Sequence, residues 1–131
     1  MNSRDIRISE DYIAAGSFDS SEQDLQRLSQ SNAAAIRRRV AENLQATTEL
    51  LRRLAADEDY HVRIAVGLNR SAELAVVSEL VHDKNPDVRF WLASTSYLPG
   101  PLLYELAKDE NPFVADRAKK TLRRIHKCFD S

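Results

Sequence analysis

The chain is short of nearly everything that catalytic or covalently stapled domains rely on. Its single cysteine, Cys128, excludes an internal disulfide and an all-cysteine metal cluster. Its three glycines, Gly16, Gly67 and Gly100, lie too far apart to form a phosphate-cradling loop. Nowhere do about 18 apolar residues run together, as a bilayer-spanning helix requires. The opening Met1-Asn-Ser-Arg-Asp-Ile-Arg is too polar for a secretory signal. Neither sign of charge is in excess: 19 basic and 20 acidic residues leave a net charge of −1, so no global field draws the chain to nucleic acid or to an anionic membrane. Any such binding has to be local. With 43% hydrophobic residues, 30% charged residues and four prolines, the expectation is one largely helical domain over 1–131, soluble and cytoplasmic.

What is present is a period. Leu54, Leu80 and Leu106 recur every 26 residues, and so do Asp57, Asp83 and Asp109, or Val62, Val88 and Val114. Arg37, Arg63 and Arg89 keep the same step, as do Val40 with Val66 and Asn43 with Asn69. A period of this length marks units that cannot bury their apolar faces alone and must stack. Each unit reads as two short helices. The first carries apolar residues at i, i+1 and i+4, as in Leu50, Leu51 and Leu54. The second carries Val62, Ala65, Val66 and Asn69, matched by Val88, Trp91, Leu92 and Thr95. Asn85-Pro86 and Asn111-Pro112 place an N-cap residue before a proline at the first helical position, where its missing N–H costs nothing; Asp59 takes the cap role one unit earlier. Ser20 or Ser21 is expected to cap a helix through Leu25 and Leu28, and Ser71 the helix that follows it. Residues 1–19 show no register. Ile6, Ile8, Tyr12, Ile13 and Phe18 are expected to form an N-terminal cap over the first repeat, or an arm that reaches a partner, with repeats over 20–127 and a tail at 128–131.

The string Leu54-Ala-Ala-Asp-Glu-Asp-Tyr-His-Val-Arg-Ile-Ala-Val-Gly-Leu-Asn69 resembles the leucine-rich repeat variant family, a HEAT-like group with an L-A-x-D…V-R-x-A-V-A-x-N core. The match covers about Leu25 to Ile125; Ser31 stands in the Asp column of the first unit and Ala115 in the Arg column of the last. The resemblance implies an all-α, right-handed superhelical α-solenoid of about four two-helix repeats. Some relatives carry an N-terminal iron–sulfur module, which a chain with no cysteine before Cys128 is not expected to hold.

The stacked Asp57/Arg63 and Asp83/Arg89 read as a structural ladder, each carboxylate taking a guanidinium from its own or the adjacent unit. Asn43 and Asn69 read as satisfying free backbone groups at helix ends. His61, His82 and His126 share no ligand spacing, and no base is organised near Cys128, so no metal, cofactor or catalytic residue is expected. Departures from the period are more informative. The columns read Arg38, Ile64, Phe90, Asp116 and Arg39, Ala65, Trp91, Arg117. Either the third unit widens and Trp91 is core, or Trp91 and Phe90 emerge beside Ile64 as an aromatic anchor, with Tyr97 and Tyr104 in the same unit. Second helices line the inner face of HEAT-like stacks, so Arg38, Ile64, Phe90 and Trp91 are the expected contact surface for another protein. Such a non-enzymatic, bacterial-looking module would serve as an adaptor, an assembly factor or a toxin immunity protein, as a monomer or weak homodimer and without a membrane role. The alternative is nucleic-acid binding through Arg117, Lys119, Lys120, Arg123, Arg124 and Lys127, six cations with no acid among them. DNA glycosylases built on HEAT-like repeats show that such an architecture can hold a duplex.

Overall fold

The computed structural model describes residues 2–130, with side chains through residue 127; the side chain of Cys128 lies outside the described residues. The described residues are all-helical, with nine helices and no strand. None is long and apolar enough to cross a membrane.

Four of the helices are two-turn segments of seven residues: α2 (Glu22–Leu28), α4 (Thr48–Leu54), α6 (Leu74–Leu80) and α8 (Gly100–Leu106). They alternate with α1 (Ser3–Gly16), α3 (Ala34–Glu42), α5 (Tyr60–Leu68), α7 (Pro86–Ala93) and α9 (Pro112–Asp130). Helices this short are marginal alone in water, so their stability has to come from packing. Their starts are written in the chain. Ser21 and Thr47 accept from Asp24 N and Leu50 N, Asp59 from His61 N, Asn85 from Asp87 N and Asn111 from Phe113 N. Ser71 does not follow this pattern. Its hydroxyl donates to the Leu44 carbonyl, because α6 starts at Leu74, beyond capping reach of residue 71.

The chain divides into two compact units, Met1–Val76 and Val77–Ser131, with the division inside α6. In the first, α3 packs against both α1 and α5, and α4 lies against α5 and α3. Leu25, Leu28, Ile36, Val40, Leu50 and Leu51 are almost wholly buried. In the second, α9 packs on α7 and α8. Leu103, Leu106, Val114 and Ala118 are buried there, and α9 continues past Lys127 to Asp130, through the segment expected as a tail.

The first unit's layers are tied by asparagine. Asn69 Nδ2 donates to the carbonyls of Ala41 and Asn43, at 2.8 and 3.0 Å, while its Oδ1 accepts from Ser71 N. Asn43 repeats the arrangement one layer earlier, donating to Ala15 and Ser17 at 2.9 Å each and accepting from Gln45 N. One buried amide thus satisfies two helix-end carbonyls and one turn N–H. The recurrence reaches the end of α1, since Ser17 stands to Asn43 as Asn43 stands to Asn69, 26 residues on in both cases. α1 packs on α3, yet Ile13 and Phe18 are 71% and 76% exposed, and Ile6, Ile8 and Tyr12 are also exposed. The packing side of α1 is small, ending in the fully buried Ala15.

Candidate functional site

The charged residues of the repeat are committed to structure. Arg37 forms a fork on Asp57, Nε to Oδ2 at 2.9 Å and Nη2 to Oδ1 at 3.2 Å, and its Nη1 donates to the Ser31 carbonyl. Arg89 does the same to Asp109 at 2.8 and 3.2 Å, and to the Asp83 carbonyl. The hydrogen bond from Asp57 raises the Arg37 guanidinium above its usual range, against the opposing effect of burial. The carboxylates also close their own turns, Asp57 accepting from Asp59 N and Asp109 from Asn111 N. Ser31, which replaces the aspartate in the first unit, accepts from Ala33 N in the same way. Within the first unit the Arg63 guanidinium meets the backbone carbonyls of Asp57 and Glu58. Both of these forks run from an arginine to an aspartate 20 residues later.

The four residues expected to make a protein contact fall in different places. Arg38 and Ile64 belong to the first unit, Phe90 and Trp91 to the second. Ile64 is 9% exposed and is therefore a core side chain, a correction to its expected role as a surface anchor. Arg38 is exposed but held by Glu42 at 3.0 Å, one turn along α3. Phe90 is half-buried on α7, edge-on to Trp91 with ring centroids 6.2 Å apart and planes at 85°. Trp91 is 50% exposed, so of the two readings open for it the surface one holds. Its immediate neighbours toward the core, Val88 and Leu92, are fully buried, which fixes the helix that carries it.

The same unit exposes further aromatic area at Tyr97, Tyr104 and Phe113. Phe113, at 76%, escaped the sequence reading, although its column offered a signal: one and two periods back from it stand the exposed polar residues Asp87 and His61. Two histidines pair with α8 across the unit. His82 Nε2 lies 2.8 Å from Glu105 Oε1, and His126 Nε2 lies 3.2 Å from the Tyr104 hydroxyl.

The basic residues of α9 separate by face. Val114, Ala115, Ala118, Thr121 and Leu122 point into the unit, and Arg117 is half-buried at its margin, its Nε without a hydrogen-bond partner among the described residues. Lys119, Lys120, Arg123, Arg124 and Lys127 are exposed. Lys120 pairs with Asp116 at 3.0 Å and holds that exposed carboxyl below its ordinary value of 3.8. Lys120, Arg123, Arg124 and Lys127 together line a shallow hollow of about 280 Å³.

No protein-family model matches the chain, and neither does any curated protein or solved structure.

Proposed function

We propose that the chain is a HEAT-like helical-repeat scaffold of the leucine-rich repeat variant kind, about four two-helix repeats in a right-handed superhelix, which binds another protein and performs no chemistry of its own. The hydrogen bonds that return every 26 residues, Asn43 to Ser17 and Asn69 to Asn43, support the repeat reading. The contact surface belongs to the second unit, with Trp91 as its anchor and Phe90 as the ring that holds it.

The observation that carries this is the half exposure of Trp91 on a helix whose opposite side is fully buried. A rigid aromatic on a fixed helix loses little conformational freedom when a partner covers it, and it brings a large apolar area into the contact; Trp is for that reason enriched among the residues that dominate binding energy. The half of Trp91 left exposed is apolar surface in water, and covering it with a partner returns that area to an apolar environment. Ile64 does not contribute, being core.

The test is capture of tagged protein and of Trp91→Ala, side by side, from nuclease-treated lysate at high salt, followed by reconstitution with the purified partner. One protein retained by the unmodified chain, with affinity reduced at least about tenfold in the variant, is expected, since central aromatic truncations cost roughly 2 kcal/mol or more. Equal retention by both proteins would overturn the assignment.

A further inference from the structure

A second surface, independent of the aromatic one, lies on α9. Lys120, Arg123, Arg124 and Lys127 follow i, i+3, i+4, i+7 spacing, which puts all four on one stripe of the helix. All four are exposed, and their methylene stems wall the same hollow, so the charges surround a concavity instead of fanning apart. Asp116 stands at one end of the stripe, bonded to Lys120 and within electrostatic reach of Arg123, and it is one carboxylate against four cations among the described side chains. Four like charges held on one stripe repel one another, and nothing in the packing of α9 requires them, since its stabilising contacts are made by the opposite face.

We propose that this stripe is a phosphate-backbone site that takes nucleic acid without regard to base sequence. Three ligand classes present dense negative charge, and the geometry separates them. An anionic membrane is bound by helices whose apolar face can enter the headgroup boundary; the apolar face of α9, with Val114, Ala118 and Leu122, is already buried. An acidic protein segment gains most from a desolvated anchor at the centre of its contact, and Lys120, Arg123, Arg124 and Lys127 are all exposed. A nucleic-acid backbone needs neither, because its affinity comes from counterions released as phosphates are neutralised. Spacing agrees. Seven residues of helix span about 10 Å, over which one B-form strand presents roughly three phosphates. Arg123 and Arg124 add planar forks that grip phosphate oxygens in pairs. Backbone contacts of this sort fix position and carry no base preference.

Fluorescence anisotropy with labelled single-stranded and duplex oligonucleotides of two unrelated sequences, across a salt series, tests this on the full chain. With three to four phosphates neutralised, affinity should fall roughly 40- to 150-fold for the duplex and roughly 20- to 50-fold for the single strand between 50 and 200 mM salt, alike for both sequences. Arg123→Gln/Arg124→Gln/Lys127→Gln should bind at least about tenfold more weakly at the lowest salt and lose only roughly fourfold over that range, since about one phosphate contact remains. Circular dichroism should show its helix content unchanged, and Arg4→Gln/Arg7→Gln on α1 should bind as the unmodified chain does. The proposal is overturned if no oligonucleotide binds at low salt, or if the triple variant keeps the original salt slope. It is equally overturned if polyglutamate, phosphatidylserine vesicles or inorganic phosphate displace the oligonucleotide at matched charge, which would mark an acidic-protein, membrane or small-anion site instead.

Discussion

The two units carry the same ladder and spend the remaining positions differently. Arg37 on Asp57 and Arg89 on Asp109 agree within about a tenth of an ångström in both bonds, and in each pair the arginine side chain is 12% and the aspartate 9% exposed. Two copies of a charged pair with one geometry are what a structural element looks like. Function is to be sought where the copies diverge. In the column that holds Asn43 and Asn69 in the first unit, the second has Thr95 and Thr121. In the column where the first unit buries Ala65, the second exposes Trp91. In the first column both units bind backbone, but each asparagine amide reaches two carbonyls of the preceding layer whereas the buried Thr121 reaches one, that of Ala93. Only in the second column does the second unit turn a large side chain to solvent.

The comparison breaks most visibly if the two forks are unequal. Asp57→Ala and Asp109→Ala each strand a largely buried guanidinium and an uncapped turn N–H, and each should cost about 2–4 kcal/mol, with the two values within about 0.5 kcal/mol of one another. Urea unfolding of both variants, read at the midpoint with the slope checked for constancy, measures this. A near-zero cost at one site alone would mean that its ion pair is not part of the frame. Next in size is the asparagine column. Asn69→Ala leaves the carbonyls of Ala41 and Asn43 and the N–H of Ser71 without partners, for about 2–3 kcal/mol. Thr121→Val removes one buried bond, from Oγ1 to the Ala93 carbonyl, at nearly constant shape, for roughly 1 kcal/mol. If the threonine change were the costlier, the second unit would lean on its layer bond as heavily as the first, and the contrast drawn between them would fail.

Much of the fold was legible because it depends on residue types that tolerate little substitution. Asn85-Pro86 and Asn111-Pro112 announce helix starts through cap chemistry, and leucines such as Leu54, Leu80 and Leu106 keep the period because each is buried where its short helix packs. α1 was not legible as part of that register. Glu10 and Asp11 stand where the later units have a core valine or isoleucine and an arginine, and α1 accommodates them because Glu10 is exposed and Asp11 half-buried. What ties it in is Asn43 reading the carbonyls of Ala15 and Ser17, and a backbone carbonyl leaves no trace in sequence. Trp91 was ambiguous for a related reason. A period assigns columns, and a column shared by Arg39, Ala65, Trp91 and Arg117 names both polar and buried types. Ile64 shows that column composition does not decide, since its own column holds the exposed Arg38 and Asp116 and yet Ile64 is buried.

The smallest expected effect concerns how α1 is held in the first unit, and it separates a steric requirement from a conformational one. Gly16 ends α1 with a backbone that any residue can adopt, since no glycine among the described residues has positive φ. It is glycine because the Arg39 guanidinium crosses it closely enough to clash with an added Cβ. From there Arg39 lies over the Tyr12 ring, 5.3 Å from its centroid, an interaction worth about 0.5–1 kcal/mol at exposed sites. Since the atoms that would clash belong to the end of a long, flexible side chain, Gly16→Ala should displace the guanidinium instead of the helix. The lost cation–π contact is offset by the lower backbone entropy of the unfolded chain, about 0.4–1 kcal/mol in favour of alanine. Net stability should change by less than about 0.5 kcal/mol. The informative quantity is the coupling between Arg39→Gln and Tyr12→Ala in a double-mutant cycle. It should be measurable in the unmodified chain and vanish in the Gly16→Ala background. Coupling that survived there would show that Arg39 reaches Tyr12 by another route, and would leave the glycine without a steric reason.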